Sequence, residues 1–95
     1  MLLPKNRKPT HPGEMLLEEF IKPMGLTQKQ LALHLGWTTA KLNEIVHGKR
    51  GITAESALAL ADAFAMEAEF WLNLQLMCDL WQATQQHIPK HRIAA

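Results

Sequence analysis

The sequence predicts an all-α protein built from five helices, on three observations. No segment alternates apolar and polar residues with period two, and β-branched residues are sparse, so there is no material for a sheet. Apolar residues return instead at helical spacing. Between the apolar segments, helix starts and stops follow in regular order: Thr27, Gly36, Thr38, Gly48, Thr53 and Pro89.

Pro12 and Gly13, after His11, open a first helix that extends to Lys22, with Leu16, Leu17 and Phe20 on one face and Pro23 and Gly25 as its stop. Thr27 starts a second helix ending at Leu35, and Gln30 completes a capping box with it. That helix is expected to bury Leu31, Ala32 and Leu35 and to end at Gly36. Thr38 caps a third helix, Thr39–His47, closed by Gly48. Thr53 caps a fourth, Ala54–Met66, with Ala57, Leu58, Ala61, Phe64 and Ala65 facing inward and Ile52 as a staple before the cap. A fifth helix, Ala68–Gln86, stops ahead of Pro89. Residues 1–10 and 87–95 lack periodicity and are expected to be flexible tails around one domain at residues 11–86.

Ninety-five residues, 47% hydrophobic and 20% charged, suit one compact domain and exclude a wholly disordered chain. The single cysteine, Cys78, allows no internal disulfide, and no segment reads as a signal peptide or a bilayer span, so a cytoplasmic protein is expected. Net charge is only +1, but its distribution is uneven. Residues 1–50 carry eight Lys or Arg against four Glu, whereas residues 51–89 carry five carboxylates and no Lys or Arg. A basic half and an acidic half imply two surfaces with different tasks.

Residues 28–47 read QKQLALHLGWTTAKLNEIVH. Ala32 is small where two helices must approach, Gly36 permits positive φ at the turn, and Leu31, Leu35, Leu42 and Ile45 are apolar where the pair must pack. At about 100° per residue, Leu42, Ile45 and Val46 share one arc of the third helix. Thr39, Ala40, Asn43, Glu44 and His47 occupy the opposite arc, with Lys41 on its flank and Thr38 at the cap. Such a helix fits the major groove of DNA with its N-terminal residues at base edges. Asn43 suits adenine, Glu44 the amine of cytosine, and the Thr39 and Ala40 methyls thymine. Gln28, Lys29, Lys49 and Arg50 are placed for phosphates.

The spacing resembles the helix-turn-helix of the lambda-repressor-like (XRE) family, which implies that fold and a DNA-binding role. HPGEMLLEEFIKPMGLTQKQLALHLG, GKRGITAESALALADAF and EFWLNLQLMCDLWQA together resemble the HigA-type antitoxins over residues 11–83. The last of these segments is what generic lambda-like domains lack. The resemblance implies a dimer that represses its own operon at a palindromic operator and pairs with a small, ribosome-dependent, mRNA-cleaving toxin. A stand-alone repressor, or an interaction module without DNA binding, is the alternative.

On the fifth helix only Gln75, Asp79 and Gln82 form a polar cluster, and apolar residues cover roughly 260° of the circumference at about 100° per residue. Docking on its own core needs a stripe of only about 100°. The surplus predicts a symmetric dimer through Phe70, Trp71, Leu74, Met77, Cys78 and Trp81, with Trp71, Leu74 or Trp81 near the axis.

No chemistry is expected elsewhere. His87 and His91 flank Pro89, which breaks the helix they would need to bind metal, and no third ligand is near. Cys78 lies in an apolar segment and reads as a buried hydrophobe. Lys5, Arg7 and Lys8 read as a solubilising tail. With no phosphate loop, paired carboxylates or nucleophile-base set in the sequence, neither an enzyme nor a cofactor is predicted.

Overall fold

The computed structural model describes residues 7–94, so Lys5 lies outside the described residues. Among them there are five helices and no strand, arranged as the sequence predicts. The first, α1, begins as an α-helix at Pro12–Leu16 and continues as a π-helical turn at Leu17–Ile21. The His11 side chain caps it, its Nδ1 accepting from the Gly13 amide at 2.9 Å. The widened turn was not legible in the sequence. It bonds Lys22 N–H to Leu17 O, five residues back. That longer repeat brings Leu16 and Ile21, also five apart, into the same core. Leu17 and Phe20 are half-buried beside them, so Ile21 takes an inward place that α-helical spacing does not give it.

The helix α2, Gln28–Leu35, carries the expected capping box in both directions. Gln30 N–H donates to Thr27 Oγ1 at 3.0 Å, and Thr27 N–H donates to Gln30 Oε1 at 2.9 Å. Gly36 ends it at φ 73°, and Trp37 N–H reaches back to Ala32 O at 2.9 Å. This left-handed residue closes the helix and reverses the chain toward α3, Thr39–Val46. Leu31 and Ala32 are buried as expected, while Leu35 is half-buried. α3 stops one residue before the predicted His47, which serves as its C-cap.

α4 spans Ala54–Phe64, with Ala57 buried and Ala61 and Phe64 half-buried as predicted, whereas Ala65 is exposed. Ser56, Ala57 and Leu60 face inward, whereas Leu58, expected inside, is 59% exposed. The helix ends two residues before Met66 because Ala65 adopts φ 55° and terminates it. No glycine marks that stop, which is why sequence reading ran past it. A left-handed alanine costs about 1 kcal/mol that glycine does not. Ala65→Gly is therefore expected to stabilise the chain by about 0.5–1 kcal/mol, read as a higher urea midpoint with unchanged slope.

α5, Ala68–Gln86, has the predicted bounds and lies along α4. Trp71 enters the core from it and is fully buried. Its ring stands 5.3 Å from Phe20 and 5.0 Å from Phe70, and Phe20 in turn lies 4.9 Å from Phe64. Leu16, Leu42, Ile45, Ala57 and Leu60 complete the centre. This corrects the dimer expectation for two residues. Trp71 is the largest enclosed side chain of its own monomer, and Cys78 is buried with its thiol directed at the Pro9 and Thr10 carbonyls, so neither is presented to a partner. The outward apolar residues of α5 are Leu76 and Leu80, 51% and 43% exposed.

His11 links stability to pH. Burial first, then the Lys8 charge, lowers its pKa, against an upward pull from Asp79 and Glu14. Its Nδ1 must also stay unprotonated to cap α1. The unfolded chain therefore takes up this proton more readily than the folded one. The His11 contribution is complete above about pH 6.5 and is lost as pH falls from there through the lowered folded value. His11→Asn retains a capping side chain that does not titrate. Urea unfolding is expected to show wild type losing more stability than this variant between about pH 7.5 and 5.

Candidate nucleic-acid interface

The helix-turn-helix is held at its turn by Gly36 and at its far end by α1. The Gly13 backbone approaches so closely that a Cβ there would sit 1.7 Å from Ile45 O. Leu42, Ile45 and Val46 are buried, so α3 has one rotational setting. In it, Thr39, Ala40, Asn43 and His47 are exposed and Glu44 half-exposed. The predicted outward arc is thus the exposed arc.

Side-chain bonding organises that surface in ways the sequence did not reveal. Thr38 Oγ1 accepts the Lys41 amide at 3.0 Å and so caps α3 through a lone pair, its O–H remaining a donor. Lys41 Nζ lies 4.4 Å from the centre of the Trp37 ring, a cation–π contact that holds the charge beside the start of α3. Asn43 Nδ2 donates to Gln28 Oε1 at 3.3 Å across the two helices. Gln28, read as a phosphate ligand, is therefore placed against the principal base-reading candidate. His47 Nδ1 lies 2.8 Å from Asn43 O, and since a carbonyl only accepts, the nitrogen is the donor of this bond.

Glu44 is paired rather than free. Arg50 donates to its carboxylate at 3.0 Å, and the Lys49 and Arg50 amides both bond its carbonyl, at 2.8 and 3.2 Å. The ion pair offsets a negative charge that would otherwise repel phosphates. Lys29 and Lys49 are exposed. Near this surface a groove of about 770 Å³ is lined by the Gly48–Thr53 loop and α5, with Lys8, Lys49, Arg50, Gln75 and Asp79 on its walls.

The polar cluster of α5 faces this groove. Gln75 Oε1 accepts the Ile52 amide at 2.7 Å, and Gln75 Nε2 donates to Asp79 Oδ1 at 2.8 Å. Sequence reasoning gave this glutamine no partner. The pairing spans 23 residues, and only its place in the EFWLNLQ segment could have drawn attention to it. Among the described residues no group of three His, Cys, Asp or Glu side chains is placed to hold a metal ion. Nor is any of their helices long and apolar enough to cross a membrane.

Residues 17–71 match the family model described as helix-turn-helix. The chain is 49% identical over 82 residues to virulence-associated protein I of Dichelobacter nodosus, covering 85% of this chain and 76% of that protein. It is 40% identical over 81 residues to antitoxin HigA-1 of Vibrio cholerae serotype O1, again over 85% of this chain and 76% of the relative. Among solved structures, antitoxin GraA in complex with its operator superposes with a TM-score of 0.83 at 39% identity, over 98% of this chain and 100% of that one. The family model covers more than half of the chain, and two of these three similar proteins are named antitoxins. The chain belongs to the XRE-type helix-turn-helix family, in the group that holds the HigA-type antitoxins.

Proposed function

We propose that this protein is the DNA-binding antitoxin of a HigB/HigA-type module: a cytoplasmic dimer that represses its own operon and neutralises an mRNA-cleaving toxin. Its work is binding, not catalysis. The observation that carries the reading is the exposed face Thr39–His47, fixed by a buried opposite face and flanked by Lys29, Lys49 and Arg50. The operator complex of GraA and the HigA-1 relative support it.

Asn43 reads bases and Gln28 sets its orientation. Thr39, Ala40, Glu44 and His47 complete the contact with base edges, and Lys29, Lys41, Lys49 and Arg50 hold phosphates. Residues 11–86 form the working domain. Two copies join through α5, where Leu76 and Leu80 are exposed and Phe70, Leu74, Met77 and Trp81 are half-buried. The two recognition helices would then read half-sites about 34 Å apart on one face of the duplex. The toxin docks on surfaces of α1, α4 and α5 away from the DNA.

A mobility shift with the DNA upstream of the gene, with and without the product of the neighbouring gene, tests both halves of the reading. Retarded DNA whose mobility changes again on adding the neighbour is expected. A chain that ignores this DNA at low salt ends the repressor assignment. A neighbour that neither binds the chain nor is inhibited by it ends the antitoxin assignment. Asn43→Ala is expected to weaken specific binding by about 1–3 kcal/mol and leave random DNA nearly untouched. Lys49→Ala weakens both alike and lowers the salt slope by about one. Titrations on the two duplexes at several salt concentrations separate these behaviours.

A further inference from the structure

We propose that Gln75 and Asp79, on the helix farthest in sequence from the recognition helix, are positioning residues for the phosphate-facing loop. The inference rests on the operator-binding reading above and names what holds that site in shape.

The loop Gly48–Thr53 carries Lys49 and Arg50, and its two ends are tied to different helices. At its start, the Lys49 and Arg50 amides bond Glu44 O on α3. At its end, the Ile52 amide bonds Gln75 Oε1 on α5. Between these ties the loop borders the groove of about 770 Å³, and Lys49 and Arg50 are exposed. The Gln75 carboxamide lies flat against Gly51, where a Cβ would stand 3.0 to 3.1 Å from its Oε1, Cδ and Nε2 atoms. A carboxamide can rotate by 180° and offer its NH2 group instead, which an amide N–H cannot use. Asp79 prevents this, because its carboxylate accepts only from Nε2 and so keeps Oε1 turned toward Ile52. The order Asp79, Gln75, Ile52 is therefore a directional chain whose output is the position of two cations.

Gln75→Met keeps the length of the side chain and removes both bonds. Gln75→Glu combined with Asp79→Asn keeps net charge and rebuilds the chain with donor and acceptor exchanged. Binding of each protein to the gene's upstream DNA and to a random duplex is measured over a salt series, together with amide exchange at Ile52, thermal melting and oligomeric state. Gln75→Met is expected to melt cooperatively, keep its oligomeric state and exchange the Ile52 amide faster. It binds both duplexes about tenfold more weakly, with a salt slope shallower by about one. The double variant returns affinity, slope and exchange toward wild type. Wild-type affinity and slope in Gln75→Met overturn the inference while the operator reading stands. So does weakened binding with an unchanged slope, or a double variant that fails to recover. A wild-type chain that binds neither duplex overturns both.

Discussion

Gly13→Ala is expected to destabilise the protein by about 3 kcal/mol or more, even though helix propensity and packing oppose each other in sign. Helix propensity alone favours alanine over glycine by up to about 1 kcal/mol. Packing opposes it, since the added Cβ would fall 1.7 Å from Ile45 O and 2.5 Å from Ile45 C, both backbone atoms that no rotamer change can move. Separating α1 from α3 to relieve this overlap opens the core around Leu16 and Ile45, each fully buried. Packing wins. For a domain of this size such a loss lowers the melting temperature by roughly 12–25 °C. Gly36→Ala is the matched control. Its φ is +73°, but nothing lies within 4 Å of the added Cβ, so only the left-handed backbone is penalised, at about 1 kcal/mol. Equal melting losses for the two variants would show that the approach of α1 to α3 is not what holds the recognition helix.

The contrast between these glycines also explains what the sequence disclosed. Thr27 with Gln30, Thr38 and Thr53 act on amides three residues away, and Gly36 acts through its own φ. Local signals of this kind are written in consecutive residues, and the helix starts follow from them. The outward arc of α3 was legible for the same reason, because 3.6-residue periodicity needs no knowledge of the neighbour. Gly13 reads locally as part of a helix start, and its contact with Ile45, 32 positions away, exists only in the fold. The π turn at Leu17–Ile21 belongs with it, since it lets two core residues five apart point the same way. Gln28–Asn43 and Gln75–Ile52 join separate elements 15 and 23 positions apart, and Glu44–Arg50 joins α3 to the loop six residues on, at a spacing that helical periodicity does not contain. Helix amphipathicity misled at α5, where the polar cluster turned out to face a groove and the loop above it rather than open solvent.

Trp71→Ala separates the core role of this residue from the interface role that the apolar surplus of α5 had implied. Removing a fully buried indole leaves a large cavity among Phe20, Phe70 and the residues around them, and costs about 3–5 kcal/mol. Against a total stability of about 5–15 kcal/mol, the expected outcome is a chain whose melting temperature falls by roughly 12–40 °C. Trp71→Phe is milder on two counts. It keeps a ring in the site, and it removes an indole N–H that finds no acceptor among the described residues. Leu80→Lys acts on the other side of the same helix, where the side chain is 43% exposed. It is expected to dissociate the dimer while the monomer keeps its melting profile, because a cation at the proposed interface stays solvated once the copies part. Sedimentation and melting of the three variants together assign the two faces of α5. If Trp71→Ala sediments as a folded monomer and Leu80→Lys remains a dimer, then Trp71 contacts the partner and the core built around it here is wrong.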